Sequence, residues 1–133
     1  MPVRILVVDD DRAVRESLRR SLEFNGYDVA LAADGAEALA GLSAGGPAGS
    51  PDVVVMDVMM PNMDGVTALG LLRARETAAG HHTPVLMVTA HAMTGDRERF
   101  LAAGADGYVS KPLSPDELCK EIDRVVAHAR TGA

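Results

Sequence analysis

The sequence predicts an α/β fold in which helices cover both faces of a parallel β-sheet. Short apolar runs alternate along the chain with longer segments of helical periodicity. One run, Val53 to Met56, has four consecutive apolar residues between turn signals, which is typical of a strand buried on both faces. The 133 residues suffice for one domain of this class, and no repeat or linker divides them. We therefore expect residues 1–133 to form a single domain, without an effector or DNA-binding domain.

The first strand is predicted from Val3 to Val8, and three acidic residues follow it directly: Asp9, Asp10 and Asp11. Apolar residues four apart then predict a helix, which the pair Asn25-Gly26 ends because glycine tolerates a left-handed backbone. Tyr27 to Leu31 includes the polar Asp28 within an otherwise apolar run. This alternation predicts a short second strand at an edge of the sheet.

The second helix is predicted to start after Asp34, with Glu37 three residues later as in a capping box. Leu39 and Leu42 of this helix are expected to face inward. The segment from Ala44 to Pro51 is rich in glycine and proline, which predicts a loop.

The second half of the chain continues the alternation of helices and strands. A third helix is marked by Val66, Leu69 and Leu72 and is predicted to end near Ala78 to Gly80. A strand from Pro84 to Val88 follows, and then a helix from about Thr94 to Ala103 that Gly104 ends. The last two elements are a short strand at Tyr108-Val109 and a fifth helix. Ser114, Pro115 and Glu117 supply the start signals of the fifth helix. Its predicted buried face consists of Leu118, Ile122, Val125, Val126 and Ala129.

Composition and charge exclude several classes of function. The formal charge is −6, and lysine and arginine are not clustered, which argues against a nucleic-acid or anionic-membrane surface. No apolar run approaches the ~20 residues of a membrane span, and the start lacks the features of a signal peptide. A single cysteine, Cys119, excludes an internal disulfide, so we expect a cytoplasmic protein.

The candidate functional residues follow four of the five predicted strands. Asp9 and Asp10 follow the first strand, Asp57 ends the third, and Thr89 and Lys111 follow the fourth and fifth. Parallel strands all finish at one end of a sheet, where open α/β sheets bind their ligands. In the flavodoxin-like strand order 2-1-3-4-5, the switch point between strands one and three would bring the three acids into one crevice. Considered alone, Asp57 is equally explained as a helix cap or turn residue.

Motifs at these strand ends identify a family resemblance. The sequences VVDD, MDVMMPNMDG, VTA and GYVSKP occur in that order, and together they make the chain similar to the receiver domain of two-component response regulators. The similarity covers essentially the whole chain. The segment from VTA to KPL resembles receivers of hybrid sensor kinases, whereas the start equally resembles stand-alone regulators.

The resemblance implies a role for each candidate residue. Asp57 matches the phosphoacceptor, Asp9 and Asp10 the paired metal-site acids, Thr89 the hydroxyl that contacts the phosphoryl group, Lys111 the invariant lysine and Tyr108 the switch aromatic. It also implies Mg²⁺ or Mn²⁺, bound directly by Asp10 and Asp57, largely through water by Asp9, and by the backbone carbonyl of Met59. Such a hard cation would relieve the repulsion among three crowded carboxylates. Asp11 receives no ligand role.

By the same resemblance, a sensor histidine kinase or a histidine phosphotransfer protein donates the phosphoryl group. The chain would catalyse only its own phosphorylation and dephosphorylation, so it is not expected to be an enzyme in the ordinary sense. The signal would reach a downstream protein through the face formed by helix four, strand five and helix five. Met59 and His91 match positions that control hydrolysis, and a cis peptide is implied at Lys111-Pro112.

Three other classes of protein fit the sequence less well than the receiver. A phosphohydrolase of the haloacid dehalogenase type also uses a strand-end aspartate with Mg²⁺, but it has a second acid two residues later, where this chain has Met59. A receiver-like docking module that phosphorylation does not control usually lacks an acid or the lysine, and none is missing here. A flavodoxin is disfavoured because three acids after the first strand would repel a flavin phosphate.

Overall fold

Five strands alternate with five helices in this computed structural model, which describes residues 2–49, 51–80, 82–90, 95–111 and 114–130. In chain order the elements are β1 (Arg4–Val8), α1 (Arg12–Phe24), β2 (Asp28–Ala32), α2 (Gly35–Gly49), β3 (Val53–Asp57), α3 (Gly65–Ala79), β4 (Val85–Thr89), α4 (Asp96–Ala102), β5 (Gly107–Ser110) and α5 (Pro115–Arg130). The predicted α/β alternation is confirmed.

The strands form one parallel sheet in the order β2-β1-β3-β4-β5. This is the predicted order, and β2 lies at an edge as its alternating sequence indicated. Val8 pairs with Met56, and Asp57 pairs with Val88, so the central strands finish at the same level. The residues after β1, β3 and β5 therefore meet at one end of the sheet, which we call the carboxyl end.

Two hydrophobic clusters hold the helices against the sheet, one on each face. Side chains of β3 alternate between them, with Val54 and Met56 on one face and Val53 and Val55 on the other. The first face is covered by α2, α3 and α4, through Ala38, Leu39, Ala68, Leu69, Leu72 and Phe100. The second face is covered by α1 and α5, through Leu22, Leu118, Ile122, Val125 and Val126. Strands β3 and β4 are buried along their whole length, which explains their almost entirely apolar sequences.

The helix boundaries mostly follow the predicted signals. Gly26, after α1, and Gly80, after α3, both have positive φ, the conformation that glycine adopts most easily. The Asp34 side chain accepts a hydrogen bond from the backbone N–H of Glu37 at 2.8 Å, as expected for a helix start. No helix among the described ranges is both long enough and apolar enough to span a membrane.

Two predictions about helices are wrong. Ala44 to Gly49 belongs to α2 rather than to a loop. Nucleation is the costly step of helix formation, so an existing helix can extend through glycines of poor propensity, although Pro47 has no N–H to donate to the preceding turn. Ala129 is exposed rather than buried because it lies in the last turn of α5, beyond the buried stripe that ends at Val126.

The far end of α4 is fixed by Arg73 of α3. Its guanidinium donates from Nε to the carbonyl of Gly104 at 3.0 Å and from Nη2 to Asp106 at 3.0 Å. Nη1 also pairs with the buried carboxylate of Glu76 and donates to the carbonyl of Thr83. These contacts join α3 to the segments that lead into β4 and β5, at the opposite end of the sheet from the acids.

Candidate functional site

The candidate site lies at the carboxyl end of the sheet, where three carboxylates converge. One oxygen from each of Asp9, Asp10 and Asp57 lies within 4.8 Å of the others. Asp9 is 2% exposed and Asp57 is 6% exposed, whereas Asp10 faces solvent. The predicted convergence of the acids that follow β1 and β3 is therefore observed.

The turn between β1 and α1 holds Asp9 and Asp10 in place. The N–H of Asp11 donates to Oδ1 of Asp9 at 2.9 Å. Asp11 also caps α1, because its side chain accepts hydrogen bonds from two backbone amides of the first turn. From the next turn of the helix, Nη1 of Arg15 donates to the backbone carbonyl of Asp9 at 2.8 Å. The sequence reasoning missed both roles, although an aspartate directly before a helical pattern is a typical cap signal.

The turn after β3 brings the backbone of Met59 beside Asp57. The N–H of Met59 donates to Oδ1 of Asp57 at 3.2 Å, while its side chain is 63% exposed at the rim of the site. Gly65, the first residue of α3, closes this turn with a hydrogen bond from its N–H to the carbonyl of Val58. A Cβ at Gly65 would lie 2.4 Å from the carbonyl oxygen of Asp57, so this position requires glycine.

Lys111 reaches the acids from the end of β5. Its Nζ lies 3.4 Å from Oδ2 of Asp9 and 3.4 Å from Oδ2 of Asp57. Both distances exceed those of a tight hydrogen bond, so the ammonium acts mainly as a charge shared by two carboxylates. The N–H of Lys111 donates to the carbonyl of Thr89 at 2.7 Å, which couples the ends of β4 and β5.

Burial and crowding leave the site with excess negative charge. Burial raises the pKa of Asp57, and the charge of Asp9 raises it further, while the N–H of Met59 and the ammonium of Lys111 oppose the change only in part. Burial lowers the pKa of Lys111, but the charges of Asp57 and Asp9 outweigh this effect and the pKa is raised overall. The lysine therefore stays charged, and one ammonium faces three carboxylates.

This donor set fits a hard divalent cation. Carboxylate oxygens are the ligands that Mg²⁺ and Mn²⁺ prefer, and Mg²⁺ is commonly bound by one or two carboxylates together with water. The exposed Asp10 leaves one side of the group open to solvent. Within the described ranges, the acids Asp9, Asp10 and Asp57 are the group found with metal-binding spacing.

The two remaining predicted residues lie outside the acid group. Thr89 is buried at the end of β4, the strand next to Asp57. Tyr108 is half-buried on β5, and its ring packs against Phe100 of α4 with a centroid distance of 5.9 Å. Two further expectations, for His91 and for the peptide at Lys111-Pro112, involve residues outside those that the structure describes.

Comparisons with a family model, with curated relatives and with solved structures all indicate the same family. A family model for the response regulator receiver domain matches residues 5–123. The response regulator MprA of Mycolicibacterium vanbaalenii is 53% identical over 118 residues, covering 89% of this chain and 48% of the relative. The chain thus spans about half the length of the curated relatives it matches.

Solved structures of the same fold also cover nearly the whole chain. The chemotaxis protein CheY4 of Vibrio cholerae is 34% identical with a TM-score of 0.82, over 94% of this chain and 99% of that one. The receiver domain of the Francisella response regulator 1452 is 33% identical with a TM-score of 0.84, over 96% and 98%. This chain belongs to the family of receiver domains of two-component response regulators.

Proposed function

We propose that this chain accepts a phosphoryl group on Asp57 from a phosphorylated histidine, in a reaction that requires Mg²⁺ or Mn²⁺. The donor is a sensor histidine kinase or a histidine phosphotransfer protein. The observation that carries the proposal is the convergence of Asp9, Asp10 and Lys111 on the buried carboxylate of Asp57.

The chemistry is a transfer between two nucleophiles. An oxygen of Asp57 forms a bond to phosphorus while the phosphorus–nitrogen bond of the donor breaks, and the electron pair of that bond stays on the imidazole nitrogen. The product is an acyl phosphate. Such transfers pass through a loose transition state, so the site has mainly to position the groups and neutralise charge.

The proposed metal ligands are Asp10 and Asp57 directly, Asp9 largely through water, and the backbone carbonyl of Met59. When bound, the cation neutralises charge on the carboxylates and on the phosphoryl oxygens. The hydrogen bond from the Met59 N–H to Asp57 supports this assignment because it holds that backbone beside the carboxylate.

Lys111 and Thr89 stabilise the phosphoryl group. Before transfer, the ammonium of Lys111 is shared between Asp9 and Asp57 at equal distances of 3.4 Å. After transfer, it pairs with a phosphoryl oxygen, which carries more charge than the carboxylate oxygen it replaces. The hydroxyl of Thr89, at the end of the neighbouring strand, donates to a second phosphoryl oxygen.

A labelling experiment tests the acceptor. We expect acetyl phosphate to add one phosphoryl group to the wild-type protein in the presence of Mg²⁺, as seen by intact-mass spectrometry, and none after chelation with EDTA. Asp57→Asn is nearly isosteric and should abolish labelling. Asp64→Asn is the matched control, because Asp64 is an exposed acid on the same turn that caps α3, and it should label normally. Persistent labelling of Asp57→Asn would contradict the assignment.

The same experiment separates the alternatives. A docking module that phosphorylation does not control would remain unlabelled with Mg²⁺. A haloacid dehalogenase-type phosphohydrolase would release phosphate through many rapid turnovers. The exposed, apolar Met59 opposes the second alternative, because it lies where that class has an acid.

The output face proposed for the phosphorylated protein is formed by α4, β5 and α5. Tyr108 of β5 packs on Phe100 of α4, so movement of its ring would be felt by both elements. We propose that Thr89 moves towards the phosphoryl group and that Tyr108 turns inward into the vacated space. The partner at this face is a protein, since the charge of −6 does not favour nucleic acid.

A further inference from the structure

Arg15 is a charged residue close to the candidate metal site that the proposed chemistry does not use. It lies in α1 and is half-buried, and its guanidinium points back towards the end of β1. Nη1 donates to the backbone carbonyl of Asp9 at 2.8 Å rather than to any carboxylate of the site. Its direct contact with the site is therefore made through the backbone.

That carbonyl is well placed to control the paired acids. It belongs to the peptide unit between Asp9 and Asp10, which is planar, so fixing its oxygen fixes the direction in which the chain enters Asp10. The chain must pass here from a buried carboxylate to an exposed one within a single residue. The hydrogen bond from the Asp11 N–H to Asp9 fixes the side chain of the same turn.

We propose that Arg15 is a positioning residue for the divalent-cation site. It holds the turn between β1 and α1 so that the carboxylates of Asp9 and Asp10 face Asp57, and without it the turn samples arrangements that bind the cation less well. This inference rests on the proposed function, because it assumes that these acids bind Mg²⁺ or Mn²⁺.

Loss of Arg15 would change the affinity for a divalent cation in two opposite ways, one through its charge and one through its hold on the turn. Removing a positive charge near three carboxylates should by itself tighten the binding of a cation. Loosening the turn should weaken it, and loss of a partner that orients metal ligands typically costs about 10- to 100-fold in affinity. Weaker cation binding by a variant without the guanidinium would therefore show that the loosened turn matters more than the lost charge.

The test measures the dissociation constant of Mn²⁺ by electron paramagnetic resonance, using the full chain at fixed ionic strength. Arg15→Met keeps most of the side-chain length but has no donor, and Arg15→Lys keeps the charge and a donor. Arg20→Met is the control, because it removes the same charge from an exposed position on α1. Thermal melting without metal is recorded for every variant. A purely structural role would lower the melting temperature but would leave the Mn²⁺ affinity unchanged at temperatures where the variant is fully folded.

We expect Arg15→Met to bind Mn²⁺ about tenfold more weakly than wild type, Arg15→Lys to be intermediate, and Arg20→Met to bind as tightly as wild type or slightly more tightly. An Arg15→Met protein that binds as tightly as Arg20→Met would overturn the proposal. If Arg15→Met does not fold, Arg15→Ala, which also lacks a donor, takes its place, and wild-type affinity in that variant would overturn the proposal instead. Failure of the wild-type protein to bind Mn²⁺ would refute the proposed function as well, whereas normal binding by all variants would refute only the role of Arg15.

Discussion

The proposed function needs a charged carboxylate at Asp57, but its burial beside Asp9 makes that charge unfavourable in the folded state. Burial and the charge of Asp9 raise the pKa of this carboxyl group above its ordinary value. The folded state therefore binds a proton at pH values where the unfolded chain has already lost it. Stability attributable to this group is full below the ordinary pKa of aspartate and is lost as the pH rises through the raised value.

Asp57→Asn should therefore stabilise the protein near neutral pH in the absence of divalent cations. We expect a gain of about 1 kcal/mol in the free energy of unfolding at about pH 7, within the range common for stabilising substitutions, and no gain at about pH 3, where the aspartate is largely protonated in both states. Urea denaturation at the two pH values measures this difference. Asp64→Asn should change stability little, because asparagine caps helices as well as aspartate does. Equal stability of Asp57→Asn and wild type at neutral pH would contradict the prediction.

Met59 is the residue expected to set the lifetime of the acyl phosphate. Its side chain is apolar and 63% exposed at the rim of the site, so it can shield phosphorus but cannot orient an attacking water. We expect Met59→Asn to accelerate loss of the phosphoryl group several-fold, followed by intact mass over time after the donor is removed. Leu71→Asn, at an exposed apolar position on α3, is the control and should leave the rate unchanged. An unchanged rate in Met59→Asn would count against a shielding role.

Reactive residues were easier to predict from the sequence than the residues that hold them. Asp9, Asp10, Asp57 and Lys111 are polar groups at the ends of apolar runs, and this contrast is visible without coordinates. Arg15 has no such signal. It is one of several arginines in an amphipathic helix, and its contact with a carbonyl becomes evident only when the angle between β1 and α1 is known.

At the level of elements, local signals predicted where most helices begin and end but failed for the second half of α2. Glycine and proline are read as breakers because each disfavours the helix interior. In the structure α2 runs through Gly45, Gly46 and Pro47 to Gly49. A rule based on single residues omits the support that a preceding helix gives to the glycines that extend it. That support does not explain Pro47, which donates no hydrogen bond to the preceding turn.

The segments that lead into β4 and β5 are tied together, and to α3, at the end of the sheet opposite the acid site. Arg73 binds the segment after α4 through Gly104 and Asp106, and the N–H of Val85 donates to the same carboxylate of Asp106. These contacts lie away from the acid site. A displacement that begins at Thr89 would therefore be expected to move the near end of α4 more than its far end.

The two tyrosines of the chain allow a direct test of this output face. Tyr108 packs on Phe100 between β5 and α4, whereas the hydroxyl of Tyr27 donates to Asp123 at 2.7 Å near the start of the edge strand β2. Beryllofluoride, which mimics the acyl phosphate, should shift the NMR signals of the Tyr108 ring and of α4, β5 and α5, because phosphorylation adds about 1.5 to 2 negative charges beside Thr89. Tyr27 bonds to α5 and so reports on that helix, whereas the exposed ring of Phe24 at the end of α1 is the internal control and should not shift. Changes confined to the acid residues would contradict the proposed output face.

For the whole molecule, sequence patterns predicted the class of fold but not the arrangement of its strands. Buried runs such as those of β3 and β4 indicate a parallel sheet with two covered faces. The rule for right-handed crossovers limits how parallel strands connect, but it does not determine their order. The order β2-β1-β3-β4-β5 was expected as the flavodoxin-like order because it brings the acids at the ends of β1 and β3 together, and the structure has this order.

The chain as a whole should gain stability from the cation that its acid site is proposed to bind. A ligand that binds only the folded state adds RT ln(1 + [L]/Kd), or about 2.7 kcal/mol at a concentration 100 times Kd. For a domain of this size, that corresponds to a rise of roughly 5–15 °C in melting temperature. We therefore expect Mg²⁺ to raise the melting temperature progressively with the logarithm of its concentration.

Salt must be controlled in this measurement because the formal charge of −6 means that any cation screens repulsion within the protein. Sodium chloride at matched ionic strength should raise the melting temperature much less than Mg²⁺. Asp10→Asn removes an exposed carboxylate of the acid group, so it should retain the response to sodium but lose most of the response to Mg²⁺. Equal shifts with the two salts in the wild-type protein would mean that the acids act as a diffuse negative surface rather than as a specific cation site.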